Sequence, residues 1–187
     1  FIPDNGGTWT NGYRCPDHGV FLEMVTLHQH RCPVDQKIWT GEEFDSALAT
    51  FLHLEAGHQA WIQALAFTLS GDPKYAGRVR DILLGYSQKY PGYPLHDESG
   101  QYYARGGKAF GQTLDEAIWL INLVRAYDLL RGSGMLSLVE SAQIEENVLR
   151  LAMHVVEGND LGISNIQNWH NSAMFLAALT LGDAPTA

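Results

Sequence analysis

The sequence has no apolar run of the roughly 18 residues that a membrane-spanning helix requires, so we expect no membrane span. Basic residues are also scarce: 12 Lys and Arg stand against 21 Asp and Glu, for a formal net charge of −9. Because nonspecific nucleic-acid binding depends on Lys and Arg that neutralise phosphates, this balance argues against a nucleic-acid partner. The chain opens with Phe1 and no basic, apolar leader, which leaves open whether the protein is secreted, periplasmic or cytoplasmic.

What is present is a globular composition: 187 residues, 45% hydrophobic and 18% charged, enough for a domain with its own core. Residues 1–39 are irregular and rich in Gly, Pro, His and aromatic side chains. From residue 40 onward the apolar residues recur with helical spacing, and several helices are apolar around most of their surface. We therefore predict an all-α fold of antiparallel helical hairpins over residues 40–187, preceded by an irregular N-terminal segment over residues 1–39.

Four helix starts show the capping-box pattern, a Ser or Thr followed three residues later by Glu or Gln, in which each side chain satisfies an unpaired backbone N–H. The pairs are Thr40/Glu43, Thr113/Glu116, Ser137/Glu140 and Ser164/Gln167. Trp39 and Phe44 fit a hydrophobic staple at the first, and Asp72 before Pro73 marks a fifth start. Helix ends are indicated at Gly71, Pro91, Gly132 and Gly158. The patterns predict helices at about 41–70, 73–90, 113–131, 138–157 and 165–181, with Gly57 as a candidate break in the first.

The segment over residues 164–183 begins with polar side chains and continues almost purely apolar. Gln167, His170 and Asn171 are spaced so that they share one helical face. Amide and imidazole groups at the start of a buried helix are costly unless they have partners. They either cap the helix and bond neighbouring loops, or they face a ligand; capping accounts for Ser164 and Gln167 but not for His170 and Asn171.

A second polar stretch precedes the predicted helix at 113–131. Arg105 and Lys108 could make a groove locally positive, and Gln112 lies just before the cap, free to face a ligand. Asp115 and Glu116 resemble a carboxylate pair for glycoside hydrolysis. Capping and the helix dipole explain these two better, because adjacent helical residues point about 100° apart. Trp119 has the spacing of a core residue.

Two cysteines lie in repeated short motifs: Cys15 is followed three residues later by His18, and Cys32 by Asp35. Paired motifs of this kind frame small zinc sites, so we expect Cys15, His18 and Cys32 to converge, with Asp35 or His30 completing a structural zinc site. A Cys15–Cys32 disulfide and two inert buried thiols remain as alternatives.

The segments "GGKAFGQTLDEAIWLINLVRAYDLL" and "NIQNWHNSAMFLAALTLGD" resemble two stretches typical of heparinase II/III-like polysaccharide lyases. The motifs "CPDHGVFLE" and "HRCPVD", followed by "LSGDPKYAGRVRDILLGYSQKYPGYP", resemble the N-terminal region of the same family. The resemblance implies an incomplete (α/α) toroid, followed downstream by antiparallel β-sheet layers. It also implies cleavage of a uronic-acid polysaccharide, such as a glycosaminoglycan or alginate, by β-elimination.

In that reaction a base removes the proton beside the uronate carboxylate, and preorganised donors stabilise the charge that develops. Carried over by motif, the catalytic candidates are His170, then Asn171 and Asn168. The candidate substrate-binding residues are Gln112, Gln167, Arg105, Lys108 and Trp169. The resemblance places the proton-transferring Tyr downstream of residue 187, so no Tyr here is assigned that role, and no catalytic cofactor is implied.

Two other functions stay open. A helical-toroid glycoside hydrolase would draw two carboxyl groups from Asp97, Glu98, Asp115 and Glu116. A noncatalytic carbohydrate-binding domain would use Trp39, Trp119 and Trp169 as stacking platforms. Because residues 184–187 are too few to form the next helix, we expect the chain to need the remainder of its toroid and to be inactive alone.

Overall fold

The computed structural model describes residues 1–9 and 12–183, and it confirms the predicted mainly helical fold. The helices are α1 (Glu42–Ser70), α2 (Pro73–Lys89), α3 (Thr113–Leu130), α4 (Leu138–Ile144), α5 (Leu151–Glu157) and α6 (Asn165–Leu181). No helix in this described part is long and apolar enough to cross a membrane. Residues 184–187, where we expected the next helix to be missing, lie outside the described residues.

The N-terminal segment contains a small antiparallel sheet. Its strands, in the order β1-β2-β3, are β1 (Glu23–Thr26), β2 (Gln29–Arg31) and β3 (Ile38–Trp39). Arg31 pairs with Glu23 across the first two strands, and their side chains form a salt bridge of 2.7 Å. Strands of two to four residues are too short to show the alternation by which a sheet is recognised in sequence, so the segment looked irregular.

Three of the predicted helix starts are present. Ser137 and Glu140 form a complete capping box at α4. Ser164 accepts a hydrogen bond from the Gln167 amide at α6 (3.1 Å). The Gln167 side chain does not complete the capping box, because it bonds the Leu161 amide instead. Asp72 caps α2, with Pro73 as its first residue.

Two predicted capping boxes are wrong. The residue preceding α1 is Gly41, at a φ of 132°, and no side chain caps this helix; the rings of Trp39 and Phe44 are nevertheless in contact, with centroids 5.7 Å apart. At α3, Thr113 is already helical and does not cap, because the Glu116 carboxylate is buried against the preceding loop. At α3 the sequence pattern fits, but the Glu116 side chain binds the amides of the preceding loop instead of the helix start.

Helix α1 continues through Gly57 without the break that we considered. Gly57 faces the Trp119 indole so closely that a Cβ there would lie 2.9 Å from its Cδ1 atom, so the glycine allows two helices to approach. The predicted helix at 138–157 is interrupted instead, by a π-helical turn over Glu145–Arg150 that joins α4 to α5.

Helix α3 lies at the centre of the fold and packs against both α1 and α6. Trp119 is 1% exposed and meets the Tyr86 ring edge-on, with centroids 4.9 Å apart, which confirms its predicted place in the core. Residues 1–9 lie across the loop that precedes α3. The Gly7 amide donates to the carbonyl of Ala109 (2.9 Å), and His96 Nε2 donates to the carbonyl of Gly7 (2.9 Å).

Candidate functional site

A cleft of about 590 Å³ lies between the loop that precedes α3 and the connection from α5 to α6. We call it the loop cleft. Its lining includes Asp97, Glu98, Tyr103, Arg105, Gln112, Asn159 and Ile166. The first turn of α6 therefore reaches one wall, and the residue before α3 reaches the other.

Glu116 holds the loop wall in place from behind. Its side chain is fully buried, and Oε2 accepts hydrogen bonds from the amides of Ala109 and Phe110, each 3.0 Å long. The Tyr90 hydroxyl donates to Oε1 (2.5 Å). Burial raises the pKa of Glu116, and these donors oppose the rise. Gly107 lets the loop approach, because a Cβ there would lie 2.7 Å from Glu116 Oε2.

Arg105 and Gln112 are the predicted substrate-binding residues that line the loop cleft. Arg105 is exposed, and its Nη2 donates to the carbonyl of Asp160 (3.1 Å), which points the guanidinium across the cleft towards the α5–α6 connection. Gln112 directly precedes α3 in an extended conformation, and its side chain does not cap the helix. Guanidinium and amide groups at such positions can donate hydrogen bonds to a carboxylate or a sugar hydroxyl.

Lys108 does not share a basic groove with Arg105. Its Nζ donates to the backbone carbonyls of Pro91 (3.3 Å) and Tyr93, and burial lowers its pKa. The ammonium group therefore fastens the loop to the end of α2. The Arg105–Lys108 spacing suggested a joint positive surface, but the tight turn of the chain between them directs the two side chains to different neighbours.

Of the four acidic candidates, Asp97, Asp115 and Glu116 have other contacts, and Glu98 lines the cleft and interacts electrostatically with Asp115. Asp97 Oδ1 accepts bonds from Ser99 and from the Gln101 amide (3.0 Å), which lowers its pKa and fixes it as a turn residue. Asp115 lies outside the cleft lining; burial raises its pKa, and the Trp9 indole donates to it at 3.3 Å. With Glu116 committed to backbone amides, Asp115 and Glu116 do not converge.

His170 lies directly behind the cleft wall. Its ring is fully buried, and Nδ1 is 3.1 Å from the carbonyl oxygen of Asn159, which requires Nδ1 to carry the proton. Nε2 is buried with no hydrogen-bond partner among residues 1–9 and 12–183. His170 therefore supports a residue of the lining instead of lining the cleft itself, a position that helical spacing alone does not reveal.

The other predicted polar residues of α6 lie outside the cleft lining. Gln167 Oε1 accepts from the Leu161 amide, and its Nε2 donates to Asn171 Oδ1, both at 2.8 Å. Gln167 and Asn171 therefore share one face, as expected, whereas the His170 ring is buried. Asn171 and Asn168 are exposed, and Trp169 is 45% exposed.

Tyr103 and Asn159 line the cleft without having been singled out from the sequence. Tyr103 is half exposed in the loop, and no motif marks it. Asn159 is nearly buried, and its Nδ2 donates to the carbonyl of Val155 (3.0 Å). The sequence feature that could have identified Asn159 is its position directly after Gly158, where we predicted a helix end.

The Cys/His cluster lies in the N-terminal segment. Potential metal-binding atoms of Cys15, His18 and Cys32 all lie within 4.8 Å of one another, as the repeated motif predicted. Both cysteines are free, buried thiols. Asp35 Oδ2 is 3.9 Å from His18 Nδ1, whereas the His30 ring contacts Tyr13 and Asp45 instead.

No protein-family model matches the chain. It is 33% identical over 115 residues to an alginate lyase of Stenotrophomonas maltophilia (strain K279a), a match that covers 61% of this chain and 14% of that protein. It is 28% identical over 121 residues to an exo-oligoalginate lyase of Saccharophagus degradans, covering 63% of this chain and 16% of that protein. The chain is thus related to part of two polysaccharide lyases, and it spans less than a fifth of the length of either.

Proposed function

We propose that the full-length protein is a heparinase II/III-like polysaccharide lyase that cleaves alginate by β-elimination. The observation that carries this proposal is the similarity to two proteins named as lyases of alginate or its oligomers. The motifs "GGKAFGQTLDEAIWLINLVRAYDLL" and "NIQNWHNSAMFLAALTLGD" support the family. In this proposal the helices form part of an (α/α) toroid whose remainder lies elsewhere in the full-length protein.

The loop cleft would bind a uronate residue of the polymer. When the proton beside the uronate carboxylate is removed, negative charge spreads onto that carboxylate, and donors already in place stabilise it. Arg105 and Gln112 are the lining residues with suitable donors. Asp97 is already held by Ser99 and the Gln101 amide, so its charge is partly compensated within its own turn.

His170, Asn171 and Asn168 remain the catalytic candidates from the motif. The buried ring of His170 favours a positioning role through its hydrogen bond to the Asn159 carbonyl. Asn168 and Asn171 are exposed and accessible to a substrate that extends along α6. The proton-transferring Tyr is still expected downstream, and Tyr103 is not assigned that role.

The test is to incubate the purified full-length protein with alginate and record ultraviolet absorbance, since elimination creates an unsaturated uronate that absorbs there. We expect Arg105→Ala and Gln112→Ala each to lower turnover about 10²-fold, a typical cost of losing a charge-stabilising donor. Arg78→Ala, an exposed arginine on α2, is the matched control and should leave turnover unchanged. New reducing ends without ultraviolet absorbance would indicate a hydrolase, and binding without turnover would indicate a carbohydrate-binding domain.

A further inference from the structure

Two segments of the N-terminal region repeat one backbone conformation. We call them the first knuckle, residues 15–20, and the second knuckle, residues 32–37. In the first, the Cys15 amide donates to the carbonyl of Val20 (2.8 Å), and the Gly19 amide donates to the carbonyl of Cys15 (2.7 Å). The chain therefore turns back upon itself around the cysteine.

The second knuckle has the same hydrogen bonds at the same offsets. The Cys32 amide donates to the carbonyl of Lys37 (2.9 Å), and the Gln36 amide donates to the carbonyl of Cys32 (3.0 Å). Gln36 has a φ of 63°, matching the 67° of Gly19 at the equivalent place. This left-handed conformation is unfavourable for a residue with a Cβ, so the turn persists at a local energetic cost.

The knuckles bring three ligand atoms to metal-binding separations. His18 Nδ1 lies 3.6 Å from Cys15 Sγ and 3.5 Å from Cys32 Sγ. A zinc ion about 2.3 Å from each sulfur and about 2.0–2.1 Å from an imidazole nitrogen, with tetrahedral angles, would place sulfur and nitrogen about 3.6 Å apart. The two observed separations agree with this value.

Both sulfurs are buried, with Cys15 1% exposed and Cys32 0% exposed. Metals bind the thiolate form of cysteine, and a cation between two buried thiolates would compensate the cost of burying their charge.

We propose that Cys15, His18 and Cys32 bind one Zn²⁺ ion, with Asp35 as the fourth ligand. Asp35 occupies the position in the second knuckle that His18 occupies in the first, and its Oδ2 lies 3.9 Å from His18 Nδ1. Its other oxygen, Oδ1, accepts a hydrogen bond from the Lys37 amide (3.0 Å), which leaves Oδ2 as the oxygen available to the metal. Two thiolates and one imidazole favour zinc over the hard cations that prefer oxygen ligands.

The zinc ion would have a structural role. Cys15 and Cys32 pack with Phe44 and Leu48 in a small core between the N-terminal segment and the start of α1. Four protein ligands close the coordination sphere, as in structural sites, and leave no position for a substrate. Crosslinking the knuckles would therefore stabilise this small core, and the site is separate in sequence and structure from the loop cleft.

The test is to measure metal in the full-length protein purified without chelator. We expect about one zinc per chain, lowered about tenfold or more by Cys15→Ser and by Cys32→Ser. Replacing zinc with Co²⁺ should give the absorption of a tetrahedral thiolate complex, and this spectrum should change in Asp35→Asn if Asp35 is the fourth ligand. Asp17→Asn is the matched control, because Asp17 lies in the first knuckle but its carboxylate pairs with Lys37.

Three results would overturn the proposal: no bound metal in the wild-type protein and no cobalt spectrum, zinc retained in both cysteine variants, or a Cys15–Cys32 disulfide detected by alkylation and mass spectrometry. An unchanged cobalt spectrum in Asp35→Asn would overturn the fourth ligand alone. If the cysteine variants fail to fold, the metal content of the wild-type protein and the loss of its thermal stability on adding a chelator still decide the question.

Discussion

Single buried residues hold the walls of the loop cleft, and Glu116 is the clearest case. Glu116→Ala would leave the amides of Ala109 and Phe110 and the hydroxyl of Tyr90 without their buried acceptor. We expect the free energy of unfolding, measured by urea denaturation, to fall by about 3 kcal/mol or more.

The control for this experiment is Glu157→Ala, which removes an exposed carboxylate at the end of α5 and should change stability by less than about 0.5 kcal/mol. Equal stability of the Glu116→Ala and Glu157→Ala proteins would mean that Glu116 does not hold the loop.

His53 predicts a dependence of stability on pH. Its ring is buried between the Tyr86 hydroxyl and the carbonyl of Asn5, each 3.0 Å away, and burial lowers its pKa from 6.5 to about 4. Because the unfolded chain takes up the proton at a higher pH than the folded one, stability is complete above about pH 6.5. It should fall by about 3 kcal/mol as the pH drops to about 4.

The measurement is urea denaturation across this pH range for the wild-type protein and for His53→Gln, which cannot titrate there. The difference between the two slopes isolates His53 from the acidic residues that also titrate in acid. Parallel slopes would show that His53 is not buried in its neutral form.

For single residues, the sequence predicted which side chains are chemically suited to a site better than it predicted what surrounds them in the fold. Arg105 was selected for its positive charge and Gln112 for its position beside the helix start, and both line the cleft, whereas Lys108 does not. Glu116 matched a capping box, but its role depends on a loop that folds back to it, which a local pattern cannot express. His170 was correctly separated from capping, whereas its position behind Asn159 depends on how α5 and α6 are connected.

Among the helices, close packing at one glycine determines how α1 meets α3. Gly57→Ala would place a Cβ 2.9 Å from the Trp119 ring, so the buried indole or one of the two helices must shift. We expect a loss of about 1–3 kcal/mol despite the better helix propensity of alanine. Thermal and urea denaturation of the variant measure this loss.

Gly77→Ala is the matched control, since Gly77 is also inside a helix, in α2, and a Cβ there meets nothing within 4 Å. Alanine should stabilise the protein at this position by about 0.5–1 kcal/mol. If both substitutions were stabilising, the contact between Gly57 and Trp119 would not be tight.

Helix positions were predictable from the sequence to within a few residues, because apolar periodicity and helix ends are local signals. Asp72 and the Ser137/Glu140 box are examples, since their hydrogen bonds lie within a few residues of the helix start. The single helix predicted at 41–70 is present as α1, and the break considered at Gly57 is absent. The π-turn at Glu145–Arg150 was missed, since no local pattern marked it. The strands were missed because two to four residues carry too little pattern.

For the whole molecule, composition and periodicity predicted the mainly helical fold, and the family resemblance contributed the expectation of a toroid. The central position of α3 between α1 and α6 could not be read from either source, since all three helices are apolar around much of their surface. The loop cleft could not be predicted from the sequence for a similar reason. Its walls come from segments about 50 residues apart, which meet only when α6 packs against α3.

The first nine residues depend on segments that are synthesised much later. Lys89 donates to the carbonyl of Ile2, His96 to Gly7, and the Gly7 amide to Ala109. At roughly 5–20 residues per second, a ribosome needs about 5–20 s to add the intervening 100 residues. During that interval residues 1–9 lack the segments against which they pack. In ribosome-bound chains stalled at different lengths, we expect residues 1–9 to resist protease only after the loop before α3 has emerged.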